Sequence, residues 1–255
     1  MNTFSSWLQQ LRQWLRTLTA ICLLFLLTTW TLPAQAASNI DRKLEQQVLE
    51  IIRKNPQIVV ESIQIYQQQQ QQKIQTNRER FLQDLKANPQ AVIGNSPTTG
   101  SPTPKILVIE FSDFECPYCG EAQKTLDSLM AKYGDKVQLV YKNFPLSSIH
   151  KQAIPAATAA LAAHKQGLFW EYDGALFNNQ DDLGETLYLD IAQKLNLDLE
   201  KFNRDRTIVE KEVARDTELA TNLGLSGTPF FIIQSEKASG AVQLSELQKI
   251  LEDMK

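Results

Sequence analysis

Apolar residues near the start of the chain fall at helical spacing. Ile40, Leu44, Val48, Ile51 and Ile52 recur every three to four residues, the period of one helix face. Asn55-Pro56 then has the form of an N-cap followed by proline at the first helical position. A second helix is predicted from Pro56 to about Lys86, with Val59, Ile63, Tyr66, Ile74, Phe81 and Leu85 on its apolar side and six consecutive glutamines, Gln67 to Gln72, in its middle. That apolar stripe is thin, and a rod of this kind buries little surface alone. It either packs on a partner chain or its own globular domain, or it is a Gln-rich tether; the periodicity favours an associating helix.

From Asn88 to Lys105 the apolar period disappears and Pro, Gly, Ser and Thr dominate, the composition of a linker. Beyond it the pattern changes to short apolar runs. Lys105 to Phe111 reads as a buried strand, Pro117 to Tyr133 as a helix and Val137 to Phe144 as a second strand, which together imply a parallel βαβ pair. Residues 149–223 are helical in period almost throughout, beginning with the Ala-rich stretch Ala153 to Ala163. Strand character returns at Pro229 to Ile233 and briefly at Ala241-Val242, and Leu244 to Met254 closes as an amphipathic helix. The order is βαβ, a helical insertion, then ββα. The expected division is a leader over 1–37, a helical segment over 38–87 that forms an oligomerisation stalk, a linker over 88–104, and an α/β domain over 105–255 with a helical insertion over 147–224.

The leader carries Arg12 and Arg16, an apolar run from Leu18 to Trp30 and an Ala-x-Ala site ending at Ala36, the three parts of a secretory signal. The run is short for a membrane span of about 20 residues; an uncleaved anchor is the alternative. Ile21 before Cys22 is too large for a lipoprotein signal. Removing residues 1–36 takes away two arginines and no acid, so the formal charge goes from −3 to −5. That weak acidity argues against nucleic acid and anionic membrane as partners. The remaining chain has two cysteines, Cys116 and Cys119, too few for a disulfide-rich scaffold. In an oxidising compartment a lone CxxC fits redox chemistry better than stapling, because so short a loop hardly restrains the unfolded chain.

Cys116-Pro117-Tyr118-Cys119 follows the first strand and opens the first helix of the domain. This places Cys116 at a helix N-terminus, where unpaired N–H groups stabilise a thiolate. Cys119 falls one turn inside, within reach of a mixed disulfide formed at Cys116. Half of a zinc site is the bland alternative, but only His150 and His164 could complete it, and they are not at metal-ligand spacing. Both histidines lack an evident chemical partner and read as structural or surface residues. Asp181-Asp182 reads as a solvated loop, and Phe169 and Trp170 as insertion core. Glu110 stands inside the apolar strand, where burial without a partner raises a carboxyl pKa toward neutrality; the alternative is a strand-end glutamate facing solvent.

The element order resembles the DsbA-like thioredoxin-fold oxidoreductases over roughly residues 105–253. The likeness rests on Val108-Ile109-Glu110-Phe111 leading to Cys116, Lys142-Asn143-Phe144-Pro145-Leu146, Phe169-Trp170-Glu171 with Leu176-Phe177, and Gly227-Thr228-Pro229. The segment around Asn55-Pro56 is similar to the stalk of the ScsC-like branch, which implies oligomerisation through residues 40–86. The resemblance implies an exported enzyme that forms or rearranges disulfides in protein substrates. Its redox centre would be the Cys116–Cys119 disulfide, with no other cofactor, reset by a membrane or soluble redox partner. It makes Cys116 the nucleophile, Cys119 the resolving thiol and Glu110 its proton relay. Pro117 and Tyr118 would tune thiolate stability and, with Thr228 and Pro229, bind substrate, a cis Pro229 placing the Thr228 backbone beside the disulfide to pair with it. An isomerase or reductase is the rival within this chemistry; a non-catalytic, client-binding module with chaperone character is the rival outside it.

Overall fold

In the computed structural model the described residues are Trp14, 42–236 and 239–253. The expected leader, Trp14 apart, lies outside them. Among the described residues no helix is long and apolar enough to cross a membrane.

The chain divides into two units at Tyr66–Gln67. The first holds helix α1, Arg42–Lys54, and the beginning of α2, Pro56–Ala87. Asn55 breaks them differently from the expected N-cap: its side-chain amide donates backward to the Ile51 carbonyl at 2.8 Å and closes α1. In this unit Leu44, Val48, Ile51, Ile52, Val59 and Ile63 are all exposed.

The second unit is built on a five-stranded sheet in the order β1-β3-β2-β4-β5. β2 (Ile106–Ser112) and β3 (Val137–Asn143) pair in parallel, joined by α4 (Pro117–Tyr133). β4 (Phe230–Ser235) runs antiparallel to β2 and carries β5 (Ser239–Val242) on its other edge. The segment expected as a linker is instead part of this unit. Pro89–Ile93 forms α3, with Pro89 in the first turn and Asn88 capping the Ala91 N–H, and Thr98–Gly100 forms β1, antiparallel to β3. Its prolines and small residues suit a turn-rich edge strand as well as a tether, and only the free edge of β3 distinguishes the two.

Alternation along β2 sends Ile106 and Val108 to one face of the sheet and Leu107, Ile109 and Phe111 to the other. The first face is covered by Ala122, Leu126 and Leu129 of α4 and by Leu247 and Leu251 of α9, Leu244–Glu252. The second is covered by Phe81 and Leu85 of α2, by Ile93, and by Ala220 and Leu223 at the end of α8, Leu199–Asn222. The later half of α2 is therefore packed into the globular unit. Arg78 donates to the Leu223 carbonyl at 2.7 Å, and Ile74 lies so close to Gly224, whose φ is +68°, that a Cβ there would sit 2.7 Å from it.

Between β3 and β4 stand α5 (Ala153–His164), α6 (Phe169–Phe177), α7 (Glu185–Lys194) and α8. The small side chains of α5 are buried on every side, as a helix enclosed by neighbours requires. Phe169, Tyr172, Leu176 and Phe202 fill the insertion core, and Tyr141 of β3 and Phe114 of the loop after β2 join it.

Candidate active site

The site stands where β2 ends and α4 begins. Cys116 is the N-cap residue of α4, with Pro117 in the first turn, where its missing N–H costs nothing. Cys116 is 4 % exposed and Cys119 is fully buried; both are free thiols. The Thr228–Pro229 peptide bond is cis, and the Cys116 thiol lies 3.4 Å from the Thr228 carbonyl oxygen. The loop before β4 and the head of α4 thus meet at one sulfur, although 112 residues separate Cys116 from Thr228. Tyr118 projects outward, 70 % exposed.

The two sulfurs are held in opposite conditions. The Cys119 thiol beside it lowers the Cys116 pKa to about 5, with help from Thr228 and from the Cys119 and Tyr118 backbone N–H groups, while burial works against the thiolate. Burial drives the Cys119 pKa far above a normal thiol, and the hydrogen bond between its thiol and Cys116, then the Glu110 charge, add to the rise. The environment favours the thiolate at Cys116 and the protonated thiol at Cys119.

Glu110 supplies a carboxylate on the same side. It lies in β2, is 1 % exposed, and neither carboxylate oxygen is hydrogen-bonded within the protein. Burial raises its pKa to about 7; the Ser112 hydroxyl pulls part of this back from short range without reaching hydrogen-bond geometry, and Asp127 adds to the rise. The alternative of a solvent-facing glutamate does not hold. Glu110 is the direct β-partner of Tyr141 in β3, and the Tyr141 hydroxyl is likewise buried and unbonded.

Three groups at the site carry no signal in the linear sequence. Asp173 of α6 is fully buried with both oxygens unbonded, and burial, then the charges of Glu110 and Asp127, push its pKa well above the carboxylate range. Gln180 donates to the carbonyls of Phe114 and Cys116 at 2.7 and 3.0 Å and so ties the insertion to the CxxC loop. His150, read from sequence as lacking a partner, stands 2.7 Å from Asp113 through Nδ1. His164 packs edge-on against Phe169 and contacts the Asn95 carbonyl. The Gln180 and His150 contacts join residues 64 and 37 positions apart, a separation that sequence spacing does not encode.

A mixed sheet with α4 and α9 on one face, a helical insertion, and a CxxC pair capping the first helix opposite a cis-proline loop define a thioredoxin-fold protein. Residues 92–253 match the family model described as Thioredoxin, and the chain belongs to that family. A thioredoxin-like oxidoreductase from Silicibacter pomeroyi DSS-3 superposes with a TM-score of 0.56 at 34 % identity, over 66 % of this chain and 98 % of that one. Proteus mirabilis ScsC in a transitional conformation is similar in fold, with a TM-score of 0.55 at 24 % identity over 86 % of this chain and 97 % of that one. Among curated sequences, the Na(+)/H(+) antiporter NhaA 3 of Salinispora tropica is 37 % identical over 145 residues, 56 % of this chain but 22 % of the antiporter. The chain spans about a quarter or less of the length of such relatives.

Proposed function

We propose that the protein is an exported thiol–disulfide oxidoreductase acting on protein substrates. The observation that carries this reading is the asymmetry of the two sulfurs: a Cys116 thiol acidified to about 5 at a helix N-cap, against a buried Cys119 driven upward. In the oxidising direction a substrate thiolate attacks Cys116 of the Cys116–Cys119 disulfide. The S–S bond breaks, Cys119 leaves as a thiolate and takes a proton from Glu110. A second substrate thiolate then attacks the substrate sulfur of the mixed disulfide, and Cys116 departs as a stable thiolate. Two electrons have moved from the substrate to the CxxC pair, and a disulfide- or quinone-linked partner removes them. In the reverse direction Cys116 opens a substrate disulfide, and Glu110 accepts the Cys119 proton so that Cys119 can attack Cys116 and release the reduced substrate.

The Thr228 carbonyl beside Cys116 supports substrate pairing at this loop, and exposed Tyr118 and Ile149, 71 % exposed, offer it apolar contact. The Ala-x-Ala leader supports export into a periplasmic or other extracytoplasmic space. Turnover of a reduced, disulfide-containing protein, measured beside reactivation of a scrambled one, tests the reading and separates oxidase from isomerase. A chain inactive in both, with Cys116 unreactive near neutrality, would leave the client-binding rival.

A second reading, isomerisation by an oligomer, is favoured by the exposed apolar residues of α1 and the beginning of α2. Phe81 and Leu85 are occupied within the globular unit, so self-association would use residues before Gln67 rather than the full span 40–86. Light scattering on the chain from Ala37 onward gives the outcome directly: a monomer at micromolar concentration removes this reading. An oligomer should fall apart on Ile51→Glu with Ile63→Glu, and reactivation of scrambled protein should fall with it.

A further inference from the structure

The dipeptide between the cysteines, Pro117-Tyr118, carries no formal charge, whereas the loop just before it carries two carboxylates. Asp113 and Glu115 stand three residues and one residue before Cys116, and both oppose a second negative charge on its sulfur. A thiolate acidified at this position needs something to offset them.

We propose that His150, hydrogen-bonded to the buried Asp113 carboxylate, stabilises the Cys116 thiolate as an imidazolium and so sets the redox poise from outside the CxxC segment. The proposal rests on the oxidoreductase reading above and adds a positioning residue to it.

The geometry fastens the two loops together around that imidazole. The Asp113 side chain is fully buried. Its carboxylate accepts from the Glu115 N–H at 2.9 Å, from the Leu146 N–H at 2.8 Å and from His150 Nδ1 at 2.7 Å. The Cys116 N–H donates to the Asp113 backbone carbonyl at 3.1 Å, and the Gln152 N–H donates to the Glu115 carboxylate. His150 is therefore pinned on both sides, within two hydrogen-bonded links of Cys116. The groups facing it are Asp113 and Glu115 of the loop after β2 and Cys116 at the head of α4; Lys151, its chain neighbour, is exposed. Burial disfavours the charged ring, but the hydrogen bond and charge of Asp113, then the charges of Glu115 and Cys116, outweigh it and raise the His150 pKa. As an imidazolium, His150 cancels the Asp113 charge that would otherwise bear on the sulfur.

Linkage makes the interaction visible without a substitution. If the thiolate stabilises the imidazolium, the His150 pKa must be higher in the reduced protein than in the Cys116–Cys119 disulfide form, by the amount His150 lowers Cys116. The chain has two histidines, and His164, held against Phe169 and Asn95, is an internal control. An NMR titration of both rings in both redox states should move the His150 midpoint by about one pH unit and leave His164 in place. Equal His150 midpoints in the two states overturn the proposal. In His150→Gln the pH midpoint of Cys116 alkylation should rise by about one unit, and the equilibrium with glutathione should shift about tenfold toward the oxidised form, about 30 mV more reducing. His150→Lys, which returns a positive charge, should recover most of both. Unchanged midpoints in the glutamine variant, or equal rises in both variants, would assign His150 to loop packing alone. Absence of turnover on protein substrates, with the NMR coupling intact, would remove the oxidoreductase reading and leave this interaction standing.

Discussion

The two faces of the β2–β3 pair treat buried charge in opposite ways. On the α2–α8 side, Lys142 reaches Asp216 at 3.3 Å with both side chains nearly sequestered, and the same carboxylate accepts from the Asn143 backbone and side-chain amides at 3.0 and 3.2 Å. On the α4–α6 side, the next residue, Tyr141, lies beside Glu110 and Asp173, and none of the three has a hydrogen bond to its acidic group. A buried charge that serves the fold is paired, since an unpaired one costs several kcal/mol. Carboxyls left unpaired behind the resolving cysteine avoid that cost by holding their protons, which keeps one of them, Glu110, titrating near neutrality. The contrast sets a face of paired charges against a face of unpaired acids, the face on which the proposed proton relay would act.

The strongest way to break the contrast is to remove the sulfur it serves. Cys116→Ser should abolish disulfide turnover altogether, whereas Cys119→Ser should accumulate mixed disulfides with substrates, visible on non-reducing gels; turnover surviving in the first would detach the buried acids from any role in exchange. Next in size is the paired face. Asp216→Asn leaves the Lys142 ammonium buried without its counter-charge and should cost about 3 kcal/mol in urea unfolding. On the unpaired face, Glu110 makes stability depend on pH. Between about pH 4.5 and 7 the unfolded carboxyl has lost its proton while the folded one keeps it, so the folded state binds more protons and stability falls as pH rises. The full loss is about 3 kcal/mol, and Glu110→Gln should flatten that slope while slowing resolution of the mixed disulfide by tenfold or more. A steeper slope in the variant would mean that Glu110 is not the group responsible. The smallest effect belongs to Asp173→Asn, the same exchange made at Asp216. It replaces a carboxyl whose burial already favours the protonated form and should cost less than about 1 kcal/mol. Equal losses at 173 and 216 would erase the distinction between the faces.

The chemistry-bearing segment was legible from the residues because it is local. Strand, CxxC and helix are contiguous from Ile106 to Tyr133, and the positions of Cys116 as N-cap and Pro117 in the first turn follow from backbone rules that act over four residues. The helical insertion and the two closing strands were legible for the same reason, through periodicity. What the sequence left open were matters of pairing. Thr98–Gly100 has a linker's composition and became a strand because β3 presented an unfilled edge to it. Phe81 and Leu85 belong to a helix whose earlier apolar residues stay exposed, and only the α8–Gly224 corner decides that the later half is buried. Asp113 with His150, Gln180 with Cys116, and Asp173 behind Glu110 join residues 37, 64 and 63 positions apart. Hydrogen bonds and burial act through space with no fixed separation along the chain, so the sequence by itself determined the CxxC segment and the helix it opens, and the tertiary structure alone decided which charges surround it.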